Sequence, residues 1–281
     1  MCVTDECDNG TDRRTFITGA TGALIGFAVT NGVGQTYPHN YKVVTRVLDE
    51  TRITHGKVVF QHGGKQTIDG FLARPKEEGK YPAVVVIAGN VITEEYIPNT
   101  CAALAMAGYV GLAPNIFHTL PETARSPEER RLATAAHTDS DALADINAGL
   151  DYLRTQPFVR PGGFGAVGFC YGGRLAMMLA ARSREIDAVV PYHPGPTTAT
   201  DVFRLTTPVQ IHQGTADRNV PVQQIKELEK LLSSQRTPVE VFWYDGADHG
   251  FLAYTRPYYR PNYAKDSWDR TVLFLDKHVR K

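Results

Sequence analysis

Gly163-Phe164-Gly165-Ala166-Val167-Gly168-Phe169-Cys170-Tyr171-Gly172-Gly173-Arg174-Leu175-Ala176-Met177-Met178-Leu179-Ala180-Ala181-Arg182 is the stretch that decides the fold. Residues 164–169 form an uncharged, largely apolar run, the pattern of a buried strand, and residues 172–182 carry aliphatic side chains that suit a helix. The turn between them reads Gly168-Phe169-Cys170-Tyr171-Gly172-Gly173. A strand-to-helix turn of this kind holds one side chain up at the head of a sheet, and its glycines remove Cβ atoms that would strike the neighbouring strand and helix. Cys170 is the side chain held up. Its sulfur faces the positive end of the following helix, which favours thiolate over thiol, and the backbone N–H of Tyr171 stands where half of an oxyanion hole belongs. Taken alone, the turn also suits a small buried cysteine packed at a tight bend.

Outward from this turn, strand-like and helix-like segments alternate. Upstream, residues 53–60 and 67–74 read as an antiparallel pair, and 82–88 is a continuous apolar run of the kind buried on both faces of a sheet. A small-residue helix over 97–106, a strand over 109–113 and a long helix over 128–154 follow. Downstream come strands at 187–192, 208–212 and 239–244 and helices at 172–182, 222–232 and 266–278. Such alternation predicts an α/β fold with a mostly parallel central sheet and helices on both faces, whose ligands bind beyond the carboxyl ends of the strands. Residues 39–281 are expected to form one such domain, since no repeat or compositional break divides them.

Two strand ends carry further candidates. Asp217 lies in Gly214-Thr215-Ala216-Asp217 after one strand, and His249 in Gly246-Ala247-Asp248-His249-Gly250-Phe251 after the next. Nucleophile, acid and histidine in that chain order suit a triad on this architecture, with Asp217 fixing the tautomer of His249 and the other ring nitrogen facing Cys170. Asp245 and Asp248 stand too close before the histidine and read as turn residues. His118, His137 and His193 could approach the pocket rim but are read as surface or packing residues, none having a positioned acid partner in the pattern. Cys101, inside Cys101-Ala102-Ala103-Leu104-Ala105-Met106, is read as core.

Composition narrows the partners. The 281 residues hold 30 Lys+Arg and 30 Asp+Glu, so no net field draws a nucleic acid backbone or an anionic membrane. The four cysteines, at 2, 7, 101 and 170, are too scattered for a compact metal box, and neither metal nor cofactor is expected.

Taken together, the blocks at 168–173, 214–217 and 246–251 resemble the dienelactone hydrolase family of α/β-hydrolases, over about 53–279. The resemblance implies an α/β-hydrolase fold, Cys170 as nucleophile, His249 as base and then acid, Asp217 as its orienter, and the Val91 N–H as second oxyanion donor beside that of Tyr171. Three positions depart from the pattern. Asn90 stands where well-known members carry a glutamate beside the thiol, Ala253 where lactone-cleaving members carry a carboxylate-binding arginine, and Pro114-Asn115 where an aspartate is common. The expected activity is hydrolysis of carboxylic esters or lactones through an acyl-thioester. The alternative is a catalytically weak scaffold that binds small molecules.

The arginines at 125, 130 and 131, within 116–137, could receive a substrate carboxylate or form a solvated face, and 254–263 could wall the pocket with aromatics or be a proline-stiffened loop. At the N-terminus, Arg13-Arg14 precedes Phe16-Ile17 and an uncharged run to Val29, similar to a twin-arginine export signal. Residues 1–38 are therefore read as an export signal or a flexible tail, and the mature domain as exported without membrane insertion, or as cytoplasmic in the tail case.

Overall fold

The computed structural model describes residues 46–63, 66–89, 95–118 and 137–280, together with a two-residue antiparallel ladder between Val29–Thr30 and Thr36–Tyr37. The expected signal at 1–38 otherwise lies outside the described residues, as do Cys2, Cys7, Asn90, Val91 and the three arginines at 125, 130 and 131.

Eight strands form one sheet: β1 (Ile53–His62), β2 (Gln66–Pro75), β3 (Tyr81–Ile87), β4 (Val110–Pro114), β5 (Val159–Phe169), β6 (Ile186–Tyr192), β7 (Val209–Gly214) and β8 (Val239–Tyr244). Their spatial order is β8-β7-β6-β5-β3-β4-β2-β1. From β8 to β4 every ladder is parallel, whereas β1 and β2 pair antiparallel with each other and β2 pairs antiparallel with β4. Every residue of β3 is buried, as expected of a central strand covered on both faces.

Among the described residues five helices cover the faces: α1 (Tyr96–Met106), α2 (Asp139–Thr155), α3 (Tyr171–Arg182), α4 (Val222–Ser234) and α5 (Pro261–His278). Alternation along β3 separates two cores. Ala83, Val85 and Ile87 pack with α2, α3 and α4, while Val84 and Val86 pack with α1 and α5. The 0% exposure of Cys101 places it inside the α1 layer.

Three boundaries differ from the pattern in the sequence. Within the described residues the helix expected over 128–154 starts at Asp139. Thr138 is extended and closes a capping box with Asp141, each taking a backbone N–H of the other, which ends the helix on its N-terminal side. β5 starts at Val159, ahead of Pro161-Gly162-Gly163, because Val159 pairs with Tyr81 before a register shift brings Phe164 opposite Ala83. The last helix starts at Pro261, whose fixed φ and missing N–H suit a first helical turn.

Candidate active site

β5 and β3 run parallel with Gly168 opposite Ile87, so the turn after β5 emerges at the carboxyl edge, in the middle of the sheet. Cys170 sits there at φ 52° and ψ −117°, a left-handed backbone that a non-glycine residue adopts only when its surroundings impose it. The imposition is visible in the bonds: Cys170 N–H donates to the Tyr192 carbonyl, and its own carbonyl accepts from Gly173 and Gly195. The flanking glycines are sterically required. A Cβ on Gly172 would lie 2.1 Å from the Ile87 carbonyl oxygen, and one on Gly168 would lie 2.2 Å from that of Gly172. Tyr171 is the first residue of α3, where an N–H has no intrahelical acceptor. Its phenol donates to Asp139, and Arg174 bridges Asp139 and Asp201, so the helix behind the turn is clamped to α2.

Asp217 follows β7. Its Oδ1 accepts from the N–H groups of Asn219 and Val220, both at 2.8 Å, and its Oδ2 accepts from Gln213 Nε2 at 3.2 Å and from His249 Nδ1 at 2.9 Å. Burial raises the Asp217 carboxyl, but the bond and charge of His249 and the two backbone donors outweigh it and hold the group below the ordinary carboxylate range. His249 also interacts with the Cys170 side chain, and both line the same cavity. Burial lowers the His249 imidazolium, yet the hydrogen bonds and charges of Asp217 and Cys170 prevail and raise it to about 9. Asp248 accepts from the His249 N–H and Asp245 from the Thr215 hydroxyl, so both shape their loops.

A cavity of about 240 Å³ opens on these groups, lined by Cys170, His193, His249, Asn219, Ala253, Arg256 and Tyr258 among others. The structure thus brings Cys170, Asp217, His249 and the Tyr171 amide to one place, and Ala253 and part of the 254–263 stretch to the cavity wall. Asn90 and Val91 lie outside the described residues. Among those described, no group of three or more His, Cys, Asp or Glu side chains is placed to hold a metal ion, and no helix is long and apolar enough to cross a membrane.

The three histidines set aside in the sequence each have a definite place. His193 follows β6, is 4% exposed, and has its ring centroid 4.1 Å from that of His249. His118 and His137 are not free of acid partners: their Nε2 atoms lie 3.3 and 3.2 Å from Asp145 Oδ2, while His62 Nδ1 meets Oδ1 of the same carboxylate at 2.9 Å. Gln213 also went unnoticed. Its proximity to Asp217, four positions on in the chain, was the available signal.

An eight-stranded, mostly parallel sheet with a strained turn between strand and helix at its centre defines an α/β-hydrolase. The dienelactone hydrolase family profile matches residues 68–279, and the chain belongs to that family. It is 31% identical over 221 residues to a Bradyrhizobium protein named as a probable 2-oxo-3-(5-oxofuran-2-ylidene)propanoate lactonase, covering 74% of this chain and 89% of the relative. A Synechocystis protein whose name assigns it as a carboxymethylenebutenolidase is 29% identical, with 76% and 93% covered. Among solved structures, a Klebsiella pneumoniae protein assigned as a dienelactone hydrolase superposes with a TM-score of 0.74 at 24% identity, covering 80% of this chain and 99% of that one.

Proposed function

We propose that the protein hydrolyses carboxylic esters or lactones by covalent catalysis at Cys170. The observation that carries this reading is the placement of Cys170 on a strained turn, against His249 and beside a cavity of about 240 Å³. In the proposed cycle His249 takes the proton of the Cys170 thiol, the thiolate attacks the carbonyl carbon, and a tetrahedral oxyanion forms within reach of the Tyr171 N–H, with Val91 as the second donor. The C–O bond to the leaving oxygen breaks as His249 gives that oxygen a proton. For a lactone the leaving hydroxyl stays attached to the acyl group. Water then attacks the thioester, His249 takes its proton, and the carboxylic acid leaves as the sulfur is released. Asp217 keeps Nδ1 of His249 protonated throughout, so that the other nitrogen does the proton transfer.

The names of the relatives support lactones as a substrate class, and Arg256 on the cavity wall is a cation in the vicinity of Ala253. Rapid mixing with an activated aryl ester tests the cycle. A burst of phenol equal to the enzyme concentration, with a thioester mass on the peptide of Cys170, is expected. Steady turnover without any acyl-enzyme on Cys170 would remove the cysteine mechanism, and binding without turnover would favour a scaffold.

We also propose that residues 39–281 are the catalytic domain and that Arg13-Arg14 directs its export. Replacing both arginines by lysine should hold the protein in the cytoplasm, and an unchanged distribution on fractionation would refute the export reading.

A further inference from the structure

The guanidinium of Arg174 lies one turn into α3 and has no part in the proposed cycle. It makes four charge-assisted hydrogen bonds. Nη1 and Nη2 donate to the two oxygens of Asp139 at 3.0 and 2.7 Å, and Nε and Nη2 donate to those of Asp201 at 3.0 and 3.1 Å. Both pairs have the two-pronged form that fixes direction as well as distance. The Arg174 side chain is 19% exposed and that of Asp201 8%, so these charges give up most of their hydration. Such a set adds little to net stability, because lost hydration offsets the attraction; what it supplies here is a fixed geometry.

Each element that the network joins bears on the turn at Cys170. Asp139 begins α2 and also accepts from the Tyr171 phenol at 2.8 Å, so the residue whose amide is read as an oxyanion donor is held by its own side chain. Asp201 accepts from the Thr198 N–H and holds the loop after β6, in which the Gly195 N–H donates to the Cys170 carbonyl. Arg174 gives its own backbone N–H to the same carbonyl at 3.3 Å. The left-handed backbone of Cys170 costs about 1–3 kcal/mol and persists only where the surroundings over-determine it. Arg174 ties together the pieces that do so. Burial raises the Asp139 and Asp201 carboxyls, but the bonds of Arg174, with those of Tyr171 and Thr198, prevail and hold both below the ordinary carboxylate range, so the set stays charged near neutral pH.

We propose that Arg174 is a positioning residue for the oxyanion: through Asp139 and Asp201 it holds the Tyr171 amide where it meets the oxygen of the tetrahedral intermediate. This rests on the reading of Cys170 as nucleophile and of the Tyr171 N–H as an oxyanion donor. A donor held in advance contributes as charge develops on the oxygen, so displacing it slows acylation and leaves substrate binding almost unchanged.

Two substrates that differ only in the atom carrying that charge test the proposal, a nitrophenyl ester and its thionoester, whose sulfur is the weaker hydrogen-bond acceptor. Arg174→Met keeps the length of the side chain and removes the fork. It should slow single-turnover acylation about 10- to 100-fold on the ester and less than about 3-fold on the thionoester, a fraction of the cost of losing an oxyanion donor outright. Arg174→Lys keeps the charge without the fork and should recover part of the ester rate. Tyr171→Phe leaves every charge in place and should move the ester-to-thionoester ratio in the same direction by about 2- to 5-fold. These two variants decide the matter if Arg174→Met does not fold. Equal losses on the two substrates, or unchanged acylation with a lowered urea midpoint, would mean that Arg174 only supports the fold; both overturn the proposal. Acyl-enzyme on Cys170, followed in each protein, keeps the readings apart. Where it forms without the change in ratio, only the role of Arg174 is defeated, whereas its absence in the unsubstituted protein defeats the nucleophile and the proposal with it.

Discussion

Among the described residues two buried carboxylates meet histidines, Asp217 beside the Cys170 cavity and Asp145 away from it. Asp217 holds a single ring at 2.9 Å, and that ring interacts with the Cys170 side chain and lines a cavity with it. Asp145, 1% exposed, gathers His62, His118 and His137 within 3.3 Å. These rings come from the end of β1, the turn after β4 and the approach to α2; His62 makes a hydrogen bond to the carboxyl, whereas His118 and His137 lie close to Oδ2, which has no hydrogen-bond partner. A carboxylate–histidine contact is thus an orienting device of general use. In the proposed cycle it serves catalysis at Asp217, where the oriented ring shares a cavity with Cys170, whereas at Asp145 the neighbouring rings surround the carboxylate itself.

The sharpest way to break the comparison is at the sulfur. Cys170→Ala should lower ester turnover by 10⁴-fold or more, the scale seen when a triad nucleophile is removed, and iodoacetamide should label Cys170 while sparing Cys101, which is fully buried. Full turnover by the alanine variant would show that the Asp217 assembly has no more to do with chemistry than the Asp145 one. Next in size, His249→Ala should cost roughly 10²- to 10⁴-fold in kcat with the fold intact, as removal of a general base does. Unchanged specific activity would assign the base to another residue.

Asp145→Asn addresses the other side. Loss of the buried charge among three imidazoles should lower stability by about 1–3 kcal/mol, read by urea titration, while the folded protein keeps its esterase activity within about 3-fold. A large loss of activity at unchanged stability would merge the two regions into one functional unit.

The smallest effect is in pH dependence. His249 is raised from 6.5 to about 9 in the folded protein. Its interactions therefore stabilise the fold fully below about pH 6.5, and that contribution is lost as pH climbs through 9. The melting-temperature advantage of the unsubstituted protein over His249→Gln should shrink across this window. A difference that stays constant with pH would mean that the ring does not bind its extra proton in the fold.

Residue order and local pattern in the chain were enough to determine the α/β alternation, the buried strand β3, and the turn that lifts Cys170, because apolar runs and glycines at fixed offsets act over a few residues. The chain order of Cys170, Asp217 and His249 was legible for the same reason, since each follows a strand end that announces itself. Tertiary structure alone decided the rest. Val159 joins β5 because it pairs with Tyr81, which no pattern around Pro161-Gly162-Gly163 reveals. His118 and His137 lie within 3.3 Å of Asp145, and His193 lies against His249, neighbours that come from other segments of the chain. A histidine carries no periodicity of its own. Whether its ring ends up solvated, spent on a carboxylate or held unpaired beside a cavity depends on which distant segments the sheet brings against it, and that is settled only when the layers pack.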